Sequence, residues 1–129
     1  MKLVINTDGL SKGNPGIAAI GATLKDERGR IVATISQRIG ITTNNVAEYK
    51  ALIASVQKAL KMGCNKVEIL SDSELMVRQI NGEYKVKSAG LMMLYLNVIK
   101  LLGQFDEMKI RHIPRELNAE ADKLANDAV

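Results

Sequence analysis

The fold is decided by the stretch Ile5–Gly16, whose sequence is INTDGLSKGNPG. It begins as an apolar strand, reaches a carboxylate at Asp8 and then breaks into a loop with three glycines. A strand end fixes the direction in which the Asp8 side chain points, and glycines let a backbone approach a large ligand closely. The stretch therefore predicts a rigidly placed carboxylate beside a loop that can contact a ligand.

Length and composition predict one globular domain, residues 1–129, in a reducing cytoplasmic setting. The chain carries a net charge of +4 and a single cysteine, Cys64, which cannot form an internal disulfide. Residues 1–4 lead directly into a strand rather than into a secretory signal. No apolar segment reaches the ~20 residues that a membrane helix needs. We expect a soluble monomer with no membrane contact, and the positive charge is compatible with a polyanionic partner.

The first third of the chain predicts an antiparallel meander of three strands. We expect these strands at residues 2–8, 17–25 and 30–39. Residues 26–29 (DERG) predict a tight turn. Side chains alternate through residues 30–39 with the period of two that is typical of a strand.

Helices and strands alternate through the rest of the chain. The pattern predicts a helix from about Asn45 to Gly63, a strand at 66–71, a brief helix at 73–81, an amphipathic helix at 91–102, a strand at 107–113 and a final helix capped by Asn118. This order, β-β-β-α-β-α-α-β-α, implies an α/β fold in which helices flank a mixed sheet.

Four carboxylates stand near the ends of these elements: Asp8, Glu48, Asp72 and Asp122. If the first and fourth strands are parallel neighbours, Asp8 and Asp72 lie side by side, and a helix on that sheet can bring Glu48 over them. Like charges ~4 Å apart repel by about 4 kcal/mol at an effective dielectric of ~20, so the cluster requires a cation or protonation. Hard oxygen ligands without His or Cys favour Mg²⁺ or Mn²⁺, and paired ions suit in-line displacement at a phosphodiester.

Each carboxylate also has an ordinary structural explanation. Glu48 could complete a capping arrangement with Asn45, and Asp72 could cap the brief helix. Asp122 could interact with its helix dipole, and Asp8 could start an Asx-turn. The residues alone leave these alternatives open.

Four motifs resemble the type 1 ribonuclease H family, in a short form without a hybrid-binding domain or basic handle. They are TDG at 7–9 with GNPG at 13–16, TTNNVAE at 42–48, SDS at 71–73 and IPRELNAEADKLA at 113–125. The resemblance implies a ribonuclease H-like fold with a five-stranded mixed sheet. It also implies metal-dependent endonucleolytic cleavage of the RNA strand of RNA/DNA hybrids, which leaves 5′-phosphate and 3′-hydroxyl ends.

The same resemblance implies roles for individual residues. It makes Asp8, Glu48, Asp72 and Asp122 catalytic metal ligands for two Mg²⁺ or Mn²⁺ ions when substrate is bound. It makes Gly9, Asn14, Thr43, Asn44, Asn45 and Asn118 substrate-binding residues. The amides of Asn14, Asn44 and Asn45 would sense RNA 2′-hydroxyls, because an amide donates and accepts hydrogen bonds as a 2′-hydroxyl does. Thr43 would lie nearer a DNA phosphate. The alternative is that these residues close turns and cap the helix.

Two further catalytic candidates precede Asp122. Many relatives place a mobile histidine before the last carboxylate, and His112 stands at a comparable distance, but it falls in a predicted strand and could be a sheet-face residue. Arg115 lies in the loop itself and resembles an arginine of shorter family members that could clamp a phosphate. We rank Arg115 above His112.

The remaining alternatives concern substrate binding. The connection at 82–88 offers only Lys85 and Lys87 as cations, so we expect modest, salt-dependent affinity. Glu74 stands where relatives often have an amide, and it could weaken minor-groove contact or cap the brief helix. Duplex RNA is left open as an additional substrate. A non-catalytic hybrid-binding module is the competing class, although an acidic set without metal would repel phosphates.

Overall fold

The structure is a computed structural model that describes residues 1–129. Its elements are β1 (Lys2–Lys12), β2 (Gly16–Lys25), β3 (Ile31–Thr42), α1 (Asn44–Lys61), β4 (Lys66–Ser71), α2 (Glu74–Ile80), α3 (Ala89–Leu102), β5 (Glu107–His112), a short 3₁₀ helix (Arg115–Asn118) and α4 (Ala119–Asp127). The predicted order of strands and α-helices is confirmed. The 3₁₀ helix is an addition, since the sequence predicted a loop there.

The strands form one five-stranded sheet in the order β3-β2-β1-β4-β5. β2 pairs antiparallel with both β1 and β3. β4 pairs parallel with both β1 and β5. The predicted five-stranded mixed sheet is therefore confirmed, and β1 is the strand at which antiparallel pairing changes to parallel pairing.

β1 continues past the point where the sequence predicted its end. Its pairing with β4 stops at Thr7 opposite Ser71, but its pairing with β2 continues to Lys12 opposite Ile17. The prediction that the strand ends at Asp8 was wrong, because the antiparallel neighbour keeps the backbone extended through Gly9. β3 is longer for the same reason and reaches Thr42 instead of residue 39.

Helices cover both faces of the sheet. α1 and α3 pack together on one face, with a core that includes Leu3 and Ile5 of β1, Tyr49 and Leu52 of α1, and Val98 of α3. α4 packs on the opposite face against β1 and β2. None of the helices combines the length and hydrophobicity needed to cross a membrane.

Two glycines allow α1 and α4 to approach the sheet closely. A Cβ atom at Gly9 would lie 2.3 Å from the backbone carbon of Ala47 in α1. A Cβ atom at Gly21 would lie 2.3 Å from the backbone oxygen of Ala121 in α4. Gly21 pairs with Asp8, the residue before Gly9 in β1. Since consecutive residues of a strand face opposite sides of a sheet, the two close approaches place α1 on one face and α4 on the other, near the same end of β1.

Candidate active site

Asp8 and Asp72 lie side by side where the parallel strands β1 and β4 stop pairing. The last paired residues are Thr7 and Ser71, and each aspartate is the next residue along its own segment. Asp8 is 5% exposed. The juxtaposition predicted from the sequence is therefore present, although Asp8 stands within β1 and not at its end.

Glu48 reaches the same place from α1. Its Oε1 accepts a hydrogen bond of 2.8 Å from the Gly9 N–H, and the residue is 5% exposed. The alternative in which Glu48 and Asn45 cap α1 is wrong. The helix is capped instead by Thr43, whose Oγ1 accepts from the Val46 N–H at 3.3 Å.

Asp122 comes from the first turn of α4, on the other face of the sheet. Its Oδ1 accepts a hydrogen bond of 3.3 Å from Asn126 Nδ2 and lies 3.9 Å from Arg115 Nη2. Asp72 does not cap α2, since the Ser73 hydroxyl caps that helix by accepting from the Met76 N–H. Asp72 is thus available to a ligand, and the place of Asp122 in the first turn of α4 is also compatible with an interaction with the helix dipole.

The four carboxylates border one cavity of about 250 Å³. It is lined by Asp8, Gly9, Leu10, Asn44, Glu48, Asp72, Arg115 and Asp122. One oxygen each from Asp8, Glu48 and Asp72 lie within 4.8 Å of one another. Arg115 is the one cationic side chain in this lining, so the cavity is strongly acidic.

Burial and mutual repulsion make this cluster costly to ionise. The pKa of Asp8 is raised from 3.8 to about 8, first because burial disfavours its charge and then because Asp72 and Asp122 lie beside it, while Arg115 partly opposes the shift. Burial and the Asp8 charge likewise hold the pKa of Glu48 well above 4.5, against the stabilising Gly9 N–H. A bound cation would reverse these shifts, because it favours the ionised carboxylates.

The donor set fits a hard divalent cation. All four candidate ligands are carboxylates, and no histidine or cysteine lines the cavity. Oxygen donors of this kind suit Mg²⁺ and Mn²⁺, whereas zinc prefers nitrogen and sulfur. Asp8, Glu48 and Asp72 are the residues whose ligand atoms converge most closely.

The predicted substrate-binding loops lie beside this cavity. Asn14 Oδ1 accepts a hydrogen bond of 3.0 Å from the Asn44 N–H, so the Gly13–Gly16 turn is tied to the start of α1. Asn44 lines the acidic cavity, and Asn45 lines a second, neighbouring cavity. The turn-closing role of Asn14 and the capping role of Thr43 are thus present, and their contacts with substrate stay predictions.

The structure engages Asn118 and Gly9, two predicted substrate-binding residues, in contacts within the protein. Asn118 is 1% exposed, its Nδ2 donates to the Thr7 carbonyl at 2.8 Å, and its Oδ1 accepts from Asn6 Nδ2 at 3.1 Å. The enclosed side chain faces the protein interior, and its predicted substrate-binding role stays a prediction. Asn118 occupies the N-cap position of α4, but its side chain makes no capping hydrogen bond. The N–H of Gly9 is used by Glu48 and its Cα faces α1, while the residue also lines the acidic cavity, so its contact with substrate stays a prediction.

The two further catalytic candidates, Arg115 and His112, lie in different parts of the structure. Arg115 borders the acidic cavity, at the start of the 3₁₀ helix. His112 ends β5 opposite Ser71 and lines a different groove, which it shares with Glu74. The structure therefore brings Arg115 to the carboxylates and leaves His112 outside their cavity.

A family model described as "Reverse transcriptase-like" matches residues 6–128. The chain is 44% identical over 130 residues to the bifunctional protein Rv2228c of Mycobacterium tuberculosis, and the match covers 100% of this chain and 36% of that protein. The solved N-terminal RNase H domain of that protein superimposes with a TM-score of 0.96 at 43% identity, over 99% of this chain and 98% of that one. The chain belongs to the ribonuclease H family.

Two other ribonuclease H proteins agree with this assignment. Ribonuclease HI of Halobacterium salinarum is 42% identical over 122 residues, which cover 95% of this chain and 61% of that protein. LC11-RNase H1, solved in complex with RNA/DNA hybrid, gives a TM-score of 0.93 at 42% identity over 98% of this chain and 96% of that one. The chain thus spans 36% of the mycobacterial relative and 61% of the archaeal one.

Two residues that build this candidate site were not identified by the sequence analysis. Gly21 gives α4 its close approach to the sheet, and Asn6 holds the buried Asn118 side chain. Each carried a signal. An isolated glycine within a strand indicates a close backbone approach, and a polar residue among apolar strand neighbours needs a hydrogen-bond partner.

Proposed function

We propose that this chain is a metal-dependent endoribonuclease that hydrolyses the RNA strand of RNA/DNA hybrids. The products would carry 5′-phosphate and 3′-hydroxyl ends. The observation that carries the proposal is the convergence of Asp8, Glu48, Asp72 and Asp122 on one cavity. All four come from one chain, so the proposed site is complete in a monomer.

In this proposal the protein residues would position the scissile phosphate. Asp8, Glu48, Asp72 and Asp122 would hold two Mg²⁺ or Mn²⁺ ions, which supply Lewis acidity to the attacking water and to the leaving oxygen. β1, β4, α1 and α4 each contribute one ligand or the residue beside it, so the ligands stand on rigid elements. Arg115, 3.9 Å from Asp122, would neutralise charge on the phosphate.

We assign the selection of RNA over DNA to the side-chain amides beside the acidic cavity. The Asn14 side chain accepts from the Asn44 backbone N–H at 3.0 Å, and Asn45 follows on the first turn of α1. Side-chain amides at this edge can donate to and accept from a 2′-hydroxyl, which distinguishes RNA from DNA. The hybrid bound by LC11-RNase H1, which is 42% identical, supports the same substrate class here.

The test is cleavage of a hybrid whose RNA strand carries a 5′ label, with Mg²⁺ or Mn²⁺ and with EDTA. We expect cleavage by the wild-type protein only with metal, and none by Asp72→Asn. Asp106→Asn is the matched control, because Asp106 is an exposed aspartate before β5, at the opposite end of the sheet. Undiminished cleavage by Asp72→Asn, or none by the wild-type protein with either metal, would overturn the proposal.

The same assay separates the alternatives. A parallel reaction with duplex RNA shows whether the protein also cleaves RNA when both strands of the substrate carry 2′-hydroxyls. Hybrid binding without cleavage across both metals would favour a non-catalytic binding module instead. The convergence of four carboxylates on one cavity argues against that module, since acidic side chains hinder phosphate binding unless a cation is present.

A further inference from the structure

Arg78, on α2, is hydrogen-bonded both to the first residue of its own helix and to the turn that follows the helix. Its Nε donates to Glu74 Oε2 at 3.0 Å, and its Nη1 donates to Glu83 Oε2 at 3.0 Å. Its guanidinium lies over the Tyr84 ring, 5.4 Å from the centroid. Its carbonyl accepts from the N–H groups of Glu83 at 2.8 Å and Tyr84 at 3.2 Å. The side chain and the backbone of one residue therefore hold the same turn.

Gln79 anchors the connection from the core side. Its Oε1 accepts from the Tyr49 hydroxyl at 2.6 Å, and its Nε2 donates to the Lys85 carbonyl at 3.5 Å. Gln79 is 4% exposed and Tyr49 is 1% exposed. Residues 82–88 form no helix or strand, so side-chain contacts such as these determine the path of the connection.

The connection carries two exposed lysines beside the predicted substrate path. Lys85 and Lys87 line a cavity of about 630 Å³ together with Asn45. Neither lysine takes part in an ion pair. Asn44, the neighbour of Asn45, lines the acidic cavity, so the two cavities adjoin. Both ammonium groups are thus free to meet phosphates of a nucleic acid that enters the site.

We propose that Arg78 is a positioning residue for hybrid binding, which holds the connection so that Lys85 and Lys87 face the same groove as Asn45. The inference rests on the proposed hybrid substrate. Exposed ion pairs contribute little to global stability, so the effect of this cluster is on the local path of the chain.

The test compares Arg78→Gln with Arg30→Gln. Both variants remove one positive charge, and Arg30, like Arg78, pairs with a carboxylate four residues away in the chain, at 3.1 Å. At ~0.1 M salt, we expect Arg78→Gln to raise KM for the hybrid roughly tenfold for each phosphate contact that a lysine loses. We expect kcat to be unchanged, and KM should depend less steeply on salt concentration than in the wild-type protein. Arg30→Gln should match the wild-type protein. Equal KM values for the two variants would overturn the proposal.

A double-mutant comparison separates positioning from direct binding. If Arg78 acts through the lysines, Arg78→Gln should add nothing in a Lys85→Ala/Lys87→Ala background, because residues that act as a unit are not additive. The same rise in KM in that background would mean that Arg78 binds the hybrid itself, and would overturn the positioning role. So would a fall in kcat with KM unchanged.

Hydrogen exchange distinguishes failure of this inference from failure of the proposed function. We expect the Glu83 and Tyr84 amides to exchange faster in Arg78→Gln than in Arg30→Gln, with or without substrate. Unchanged exchange would show that Arg78 does not hold the connection, even if the enzyme cleaves hybrids. Faster exchange in a protein that neither binds nor cleaves hybrids would overturn the proposed function and, with it, the positioning role of Arg78 in hybrid binding.

Discussion

Gly21 lies directly opposite Asp8 in the β1–β2 register, and the space that its missing side chain leaves is filled by α4. A Cβ atom there would stand 2.3 Å from the Ala121 oxygen and 2.5 Å from the Ala125 nitrogen. Asp122 is the next residue after Ala121. One glycine thus sets the distance between two carboxylates that come from opposite ends of the chain.

Gly21→Ala should destabilise the protein and impair cleavage together. The new methyl group meets backbone atoms of α4, which cannot move aside as a flexible side chain would, and overpacking of this kind costs about 1–3 kcal/mol or more. Because α4 carries Asp122, the displaced helix also disturbs the acidic cavity. Urea unfolding and hybrid cleavage measure the two effects.

Gly90→Ala is the matched control for this substitution. Gly90 stands in the first turn of α3, where a Cβ atom would meet only Ser88 Oγ at 3.7 Å. Alanine there should be neutral or stabilising by about 0.5–1 kcal/mol, since glycine is a poor helix former. Equal unfolding midpoints for the two variants would show that α4 does not pack on Gly21 as described.

Asp8→Asn should make metal-free stability less dependent on pH and should abolish cleavage. The pKa of Asp8 is raised from 3.8 to about 8 in the fold, so the folded protein binds this proton more tightly than the unfolded chain does. That contribution is fully present below about pH 4 and is lost as the pH rises through about 8. Each tenfold difference in proton affinity corresponds to about 1.4 kcal/mol, so the expected loss is several kcal/mol.

Thermal unfolding in EDTA between pH 4 and 9 measures this effect. Wild-type and Asp8→Asn proteins should unfold at similar temperatures near pH 4, and the variant should become the more stable one as the pH rises. Mg²⁺ at pH 8 should stabilise the wild-type protein, because a ligand that binds only the folded state raises its stability. An Asp8→Asn protein that fails to fold at pH 8 would mean that Asp8 is chiefly structural.

Sequence patterns located Asp72 because it stands at a boundary that local signals define. The β4 strand was predicted at residues 66–71, where the structure has it, and Asp72 follows directly. The alternation of strands and helices then indicated the parallel pairing that joins Asp8 to Asp72. These predictions needed only periodicity and the rules for connecting strands.

The features that the sequence did not predict depend on pairing and packing between segments. The length of β1 is set by β2, and the enclosure of Asn118 is set by Asn6 and Thr7, more than 100 residues earlier. Thr43 and not Asn45 caps α1, although both residue types suit that position. Such outcomes follow from packing, which a local pattern does not contain.

Arg115→Ala should lower kcat far more than His112→Ala. Arg115 lies 3.9 Å from Asp122 at the acidic cavity, whereas His112 lines the groove that contains Glu74. Loss of one group that stabilises charge in a transition state costs roughly a hundredfold in kcat. Arg115→Lys should recover part of the rate, because it restores the charge without the planar guanidinium. A larger loss in His112→Ala would mean that the histidine reaches the cavity when substrate is bound.

Asn118→Ala tests whether this residue positions the site or binds the substrate. Its side chain bridges the Thr7 carbonyl and Asn6 Nδ2, directly before Asp8 in β1. Removing it leaves buried polar groups without partners, at a cost of about 1–3 kcal/mol, so the urea midpoint should fall while KM for the hybrid stays unchanged. Asn97→Ala, an exposed position on α3, is the control for the substitution itself. A rise in KM with unchanged stability would favour the substrate-binding role, because a buried bridge between the 3₁₀ helix and β1 cannot be removed without a loss of stability.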